Sequence, residues 1–148
     1  MSESISKGTV FFIDRCLGRN QLAESLRKWG VTVEVHDDHF SKAAQDVDWL
    51  PEVGKRGWIV LTKDSNIGKR SLERMAVTNA TIKMFVLASQ NLSSVDTIDA
   101  FANALNKILD FAKDHPAPFI AKVYRDGDVK EWKNDKELLK EAHQASSP

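Results

Sequence analysis

Trp58-Ile59-Val60-Leu61-Thr62-Lys63-Asp64 reads as a strand buried on both faces that ends in a carboxylate. Four apolar residues run without a polar break behind Gly57, and Thr, Lys and Asp close the run. A short continuous apolar run bounded in this way is the pattern of a central strand in a parallel sheet covered by helices. In open α/β sheets, ligand chemistry sits beyond the carboxyl ends of the strands, which is where Asp64 falls. The arrangement recurs upstream: Thr9-Val10-Phe11-Phe12-Ile13 is a buried strand, and Asp14 follows it at once. Two aspartates distant in sequence are therefore expected on one rim.

The flanking segments alternate strand and helix. Leu22, Ala23, Leu26 and Trp29 recur at helical spacing up to Gly30, and Val31–Val35 alternates as a β-branched strand. After the polar stretch His36–Ser41, a helix is expected to begin between Ser41 and Asp48, with Val47, Leu50 and Val53 on one face. Pro51 is expected in the first turn of a second short helix. Ser65-Asn66-Ile67-Gly68 reads as a turn. Residues 69–78 read as a helix, with Leu72, Met75 and Ala76 inward and Lys69, Arg70 and Arg74 outward. Thr81–Leu87 is a fourth strand, and a long amphipathic helix from Val95 to Ala112 is stopped by Pro116 and Pro118. Phe119–Tyr124 is a fifth strand, Asp126-Gly127 a hairpin turn, and Val129–Trp132 returns antiparallel.

This alternation selects the α/β class: a three-layer α/β/α sandwich with a mostly parallel five-stranded sheet and a C-terminal antiparallel hairpin. Right-handed crossovers put the strand carboxyl ends on one edge, with Asp14, His36–His39, Asp64 and Ser89. The expected organisation is a flexible N-terminus at 1–8, one domain at 9–133 and a charged helix and tail at 134–148.

Composition bounds the partners. Lys+Arg and Asp+Glu each number 21, so no global field recruits nucleic acid, and any such contact must use a local patch. The single cysteine, Cys16, excludes an internal disulfide and a Cys-rich zinc site. Residues 1–7 lack an apolar core, and no stretch approaches membrane-spanning length, so the expectation is a cytoplasmic protein without membrane contact.

Asp14, Asp46, Asp48 and Asp64 are the candidate site. Carboxylates gathered on one sheet edge raise each other's pKa unless a cation sits between them. Mg²⁺ or Mn²⁺ takes oxygen ligands and would resolve the repulsion. Each Asp alone also has an ordinary reading, as a turn or helix-cap residue.

Phe11-Phe12-Ile13-Asp14, Leu17, Leu22–Leu26, Gly30 and Val33 resemble the opening of PIN-like domains. Asp46-Val-Asp-Trp49-Leu50 and Trp58–Asp64 resemble their middle. The similarity is to PIN-like proteins of VapC-type toxin systems and to the related Mut7-C and DUF5615 families, over about residues 9–132. The resemblance implies a metal-dependent endoribonuclease, the toxin of a toxin–antitoxin pair. Asp14, Asp46 and Asp64 would be its catalytic acids and would hold Mg²⁺ or Mn²⁺, with Asp48 as near competitor of Asp46. The fourth acidic position stays open among Asn66, Glu73 and Glu52. Arg15 stands where many relatives carry an acid or amide. RNA is the implied substrate, a small antitoxin the implied partner, and a homodimer the expected assembly.

Lys63, Lys69, Arg70 and Arg74 follow Asp64 closely and can hold backbone phosphates, or form a solvated helix face. Lys63, Lys69, Asn66 and Arg15 are the candidate substrate contacts. His36 and His39 invite a zinc reading, but they follow a strand and lack a third soft ligand, so a structural role is expected. Cys16, beside Asp14, has no evident base and reads as a half-buried free thiol. Two rivals stay open. Asp64, Ser89 and Lys122 mimic a signalling receiver, and a PIN-like fold with a dead site would serve as an interaction module.

Overall fold

A computed structural model describes residues 9–17, 20–89 and 91–146. The expected loose ends at 1–8 and at the final Ser-Pro, with Gly18 and Arg19 of the first loop, lie outside the described residues. Six strands form one sheet in the order β2-β1-β3-β4-β5-β6. They are β1 (Val10–Ile13), β2 (Thr32–Val35), β3 (Ile59–Thr62), β4 (Lys83–Leu87), β5 (Phe119–Val123) and β6 (Val129–Lys133). Strands β1–β5 pair in parallel and β6 runs antiparallel to β5. The mostly parallel sheet with its terminal antiparallel return is therefore present. Gly127 makes the hairpin turn at φ +90°, a conformation that costs glycine little.

Helices cover both faces. Alternate strand residues Phe11, Ile13, Leu61, Phe85 and Leu87 pack with α1 (Gln21–Lys28) and α6 (Ser94–Asp114). The opposite set, Phe12, Val60, Met84 and Val86, packs with α3 (Asp46–Lys55), α5 (Ser71–Asn79) and α7 (Asp135–Ser146). Burial on both faces is why the strands read as unbroken apolar runs. Two short helices, α2 (His36–His39) and α4 (Asn66–Lys69), follow β2 and β3 directly.

Several local expectations are corrected. Segment 36–39, read only as a polar stretch, is a short helix, and the turn read at 65–68 is a helical turn over 66–69. The helix expected to begin between Ser41 and Asp48 does so, as α3 from Asp46, but it carries Pro51 in its interior instead of starting a second helix there. The carbonyl that loses its donor is that of Val47, and Val47 is 43% exposed, so water can serve it. The buried face of α3 is therefore Trp49, Leu50 and Val53, without Val47. In α5 the buried residues are Val77 and Thr78, whereas Leu72, in the first turn, is 74% exposed. Arg74 is not turned out to solvent: its guanidinium clasps both Glu141 oxygens at 2.9 and 2.7 Å and tethers α7.

The strand order sets the location of the site. From β1 the chain passes through α1 to β2 on one side, and then through α3 to β3 on the other side of β1. The sheet therefore has its switch point between β1 and β3, where the connections diverge and leave a crevice.

Candidate functional site

Asp14 and Asp64 end the two strands that flank this crevice. Register pairs Ile13 with Leu61, so the next step sets Asp14 beside Thr62. The Asp14 N–H continues the ladder to the Leu61 carbonyl at 2.9 Å. The Thr62 hydroxyl then donates to Asp14 Oδ2 at 2.7 Å and accepts from the Asp64 N–H at 3.0 Å. Thr62 is fully buried, so one hydroxyl pins both strand ends. The other oxygen of Asp14 accepts from the Arg15 N–H at 2.7 Å, and Asp64 Oδ1 accepts from the Asn66 N–H at 3.0 Å. The sequence offered no signal for Thr62 beyond its place before Lys63 and Asp64.

Asp14, Asp46 and Asp64 line one pocket of about 250 Å³, together with Arg15, Lys42 and His36. Asp46 enters from the first residue of α3. Its carboxyl is pushed up to about 6, by burial first and then by the charges of Asp14, Asp64 and Glu73; a hydrogen bond to Trp49 pulls the other way. Glu73, in the first turn of α5, lies 3.7 Å from Arg70 through Oε1, while its Oε2 is buried without a hydrogen-bond partner. Of the residues left open as a fourth acid, Glu73 is the one that acts on Asp46. Glu52 instead pairs with Lys55 on the surface.

Other candidates have different surroundings. Asp48 is exposed, accepts from the Gln45 N–H at 3.0 Å and so caps α3; it does not line the pocket. Arg15 pairs with Asp37 at 3.4 Å while still bordering the pocket. Lys63 lines a neighbouring cavity, and Lys69 is exposed at the end of α4. Cys16 is an exposed residue whose sulfur turns inward, 3.2 Å from Thr62 Oγ1 and 3.5 Å from Asp14 Oδ2. Burial, and then Asp14, push the thiol up to about 11, so it stays protonated and is a poor nucleophile.

The two histidines do not converge. His36 is buried among Phe12, Phe40 and Trp49 with Nδ1 3.0 Å from Asp37, whereas His39 Nε2 meets Glu34 at 2.6 Å. Lys122, part of the receiver-like set, stands over the Trp132 ring at 4.2 Å.

The described carboxylates suit a hard divalent cation by donor type; the Asp46 carboxyl is pushed up by burial and by the like charges around it, and Glu73 Oε2 is a buried oxygen without a hydrogen-bond partner. Among the described residues, no three His, Cys, Asp or Glu side chains stand as a finished cation cage. The fit is therefore one of chemistry and charge.

A family model described as a PIN-like domain matches residues 9–89, from β1 through the end of β4. The chain belongs to the PIN-like domain family. The matched span contains every acid that lines the pocket, and the PIN-like assignment displaces the receiver reading. The PIN-like chain is also 26% identical over 117 residues to a Mycobacterium tuberculosis (strain ATCC 25618 / H37Rv) protein named "Putative ribonuclease VapC45", covering 76% of this chain and 84% of that protein. No solved structure matches significantly. Among the described residues, no helix is long and apolar enough to cross a membrane.

Proposed function

We propose that this PIN-like chain is a metal-dependent endoribonuclease that hydrolyses RNA phosphodiesters, and that it acts as the toxin of a toxin–antitoxin pair. The observation that carries the reading is the convergence of Asp14, Asp46 and Asp64 on one pocket at the switch point of the sheet. Similarity to a protein named as a ribonuclease supports RNA as substrate. Asp14, Asp46 and Asp64 would hold Mg²⁺ or Mn²⁺, with Glu73 adding charge beside Asp46. When bound, such a cation polarises the phosphate and lowers the pKa of a water it holds. The chain's part is to fix donors: Thr62 and the Arg15 N–H hold Asp14, and the Asn66 N–H holds Asp64. Arg15 and Lys42 on the pocket wall receive phosphate oxygens, and Lys63 and Lys69 extend the track along the rim. A small antitoxin would cover this edge, and the resting assembly would be a homodimer.

The test is cleavage of a labelled single-stranded RNA by the purified chain. Cleavage should require Mn²⁺ or Mg²⁺, stop with chelator, and disappear in Asp14→Asn and Asp64→Asn while both variants keep their circular dichroism. Arg15, which borders the pocket and pairs with Asp37 where the resemblance places an acid or amide, favours a second reading, an interaction module of the same fold. A chain that cleaves no RNA with either metal, yet retains a partner protein tightly, establishes that reading instead.

A further inference from the structure

Behind Cys16 lies a second cavity, of about 370 Å³, that opens on the same sheet edge between α1 and the start of α6. Cys16 lines both this cavity and the carboxylate pocket, so the two adjoin at that residue. Their chemistry differs. The carboxylate pocket carries three acids, whereas the described walls of the second cavity carry none, and Lys63 is their one charged residue. Leu17 and Ile98 supply apolar surface, and Asn20, Gln21 and Thr97 supply neutral hydrogen-bonding groups.

Asn20 is the informative wall. It occupies the N-cap position of α1, where an asparagine side chain ordinarily accepts a hydrogen bond from the first helical turn. Here its side chain makes no such bond. Its amide, with that of Gln21, offers paired donors and acceptors at the cavity mouth. A neutral amide edge beside an apolar wall suits a flat heterocycle that presents hydrogen-bonding atoms on its rim and a hydrophobic face. With no acid among its described walls, the cavity does not suit a cation. The volume is ample for one nucleobase.

We infer that this cavity is a nucleobase subsite, which takes the base next to the phosphate held over Asp14 and Asp64. The inference rests on the ribonuclease reading and gives it a source of sequence preference. Asn20 and Gln21 read the base edge, and Leu17 and Ile98 pack on its face.

The experiment titrates ¹³C-methyl-labelled Asp64→Asn protein with each of the four nucleoside 5′-monophosphates, in chelator. At least one nucleotide should move the Leu17 and Ile98 methyl signals. Its binding should weaken at least fivefold in Asn20→Ala and in Gln21→Trp, whose indole fills the cavity mouth from an exposed helix position. In parallel, sequencing of the RNA ends made by otherwise wild-type protein should show the preferred base beside the cut relaxed by Asn20→Ala. If no nucleotide moves these methyl signals at millimolar concentration, or both variants bind as well as the parent, the subsite is overturned. RNA cleavage without nucleotide binding in the cavity sinks the subsite and spares the ribonuclease reading. Nucleotide binding there without RNA cleavage by the wild-type chain does the reverse.

Discussion

Replacing Asp46 by Asn should make the metal-free protein more stable at neutral pH, although Asp46 is a proposed metal ligand. The reason is the neighbourhood of its carboxyl: burial, Asp14, Asp64 and Glu73 all disfavour its charge, and together they push it up to about 6 from an ordinary 3.8. A folded-state value raised above the unfolded one means that the native protein binds the extra proton between those two values. Stability therefore falls as pH rises from about 4 to 6, and the loss is complete above about 6. At full weight the difference is worth ~3 kcal/mol. Asp46 is only partly buried, and solvent screening reduces this to about 1–2 kcal/mol. Asn removes the charge and keeps an oxygen for the hydrogen bond to Trp49. In chelator at pH 7.5, Asp46→Asn should therefore gain about 1–2 kcal/mol in urea unfolding, or about 3–6 °C in Tm. At pH 4 the gain should vanish. Adding Mn²⁺ should stabilise the parent more than the variant, because the ion answers the repulsion that Asn has already removed. Parallel stability profiles for the two proteins from pH 4 to 7.5, or a variant less stable than its parent at neutral pH, would refute the reasoning.

Thr62→Val keeps the shape of the side chain but removes the hydroxyl that serves Asp14 and the Asp64 N–H, and should cost about 2–3 kcal/mol in urea unfolding. Thr62→Ser keeps the hydroxyl and should lose only ~1 kcal/mol for the methyl group; equal losses in the two would remove the hydroxyl from the account. Gly54→Ala should destabilise by about 1–2 kcal/mol despite the better helix former, because a Cβ there would lie 2.2 Å from the Ala80 carbonyl oxygen. A rise in Tm would show that α3 and the end of α5 are not in close contact. Arg74→Ala should free α7 at a cost of about 1 kcal/mol, read as faster amide exchange from Asp135 onward. Arg74 holds the Glu141 carboxyl below its ordinary range, so this contribution is present at neutral pH. It should disappear as acid protonates Glu141.

The PIN-like fold was legible in the apolar runs because strands covered on both faces cannot carry polar residues inside them. That made β1, β3 and β4 visible, and with them the placement of Asp14 and Asp64. Local periodicity was weaker where tertiary contacts chose the buried face. Val47 and Leu72 fit an inward helical stripe, yet α3 and α5 turn them out, because Trp49 and Val77 fill the space against the sheet. The helix over His36–His39 was likewise hidden, since its stability comes from His36 packing among Phe12, Phe40 and Trp49 rather than from its own sequence.

The sequence by itself determined the α/β class, the direction of the strands and the two aspartates at strand ends, since each follows from the pattern of residues along one segment. Only the tertiary structure decided which acids meet. Asp46 reaches the pocket and Asp48, two residues on, caps its helix, because a rotation of about 200° around the α3 axis separates them. The same holds for the hydroxyl that joins Asp14 to Asp64. Thr62 and Asp14 become neighbours through the register of β1 against β3, and register is a relation between segments that neither segment carries alone.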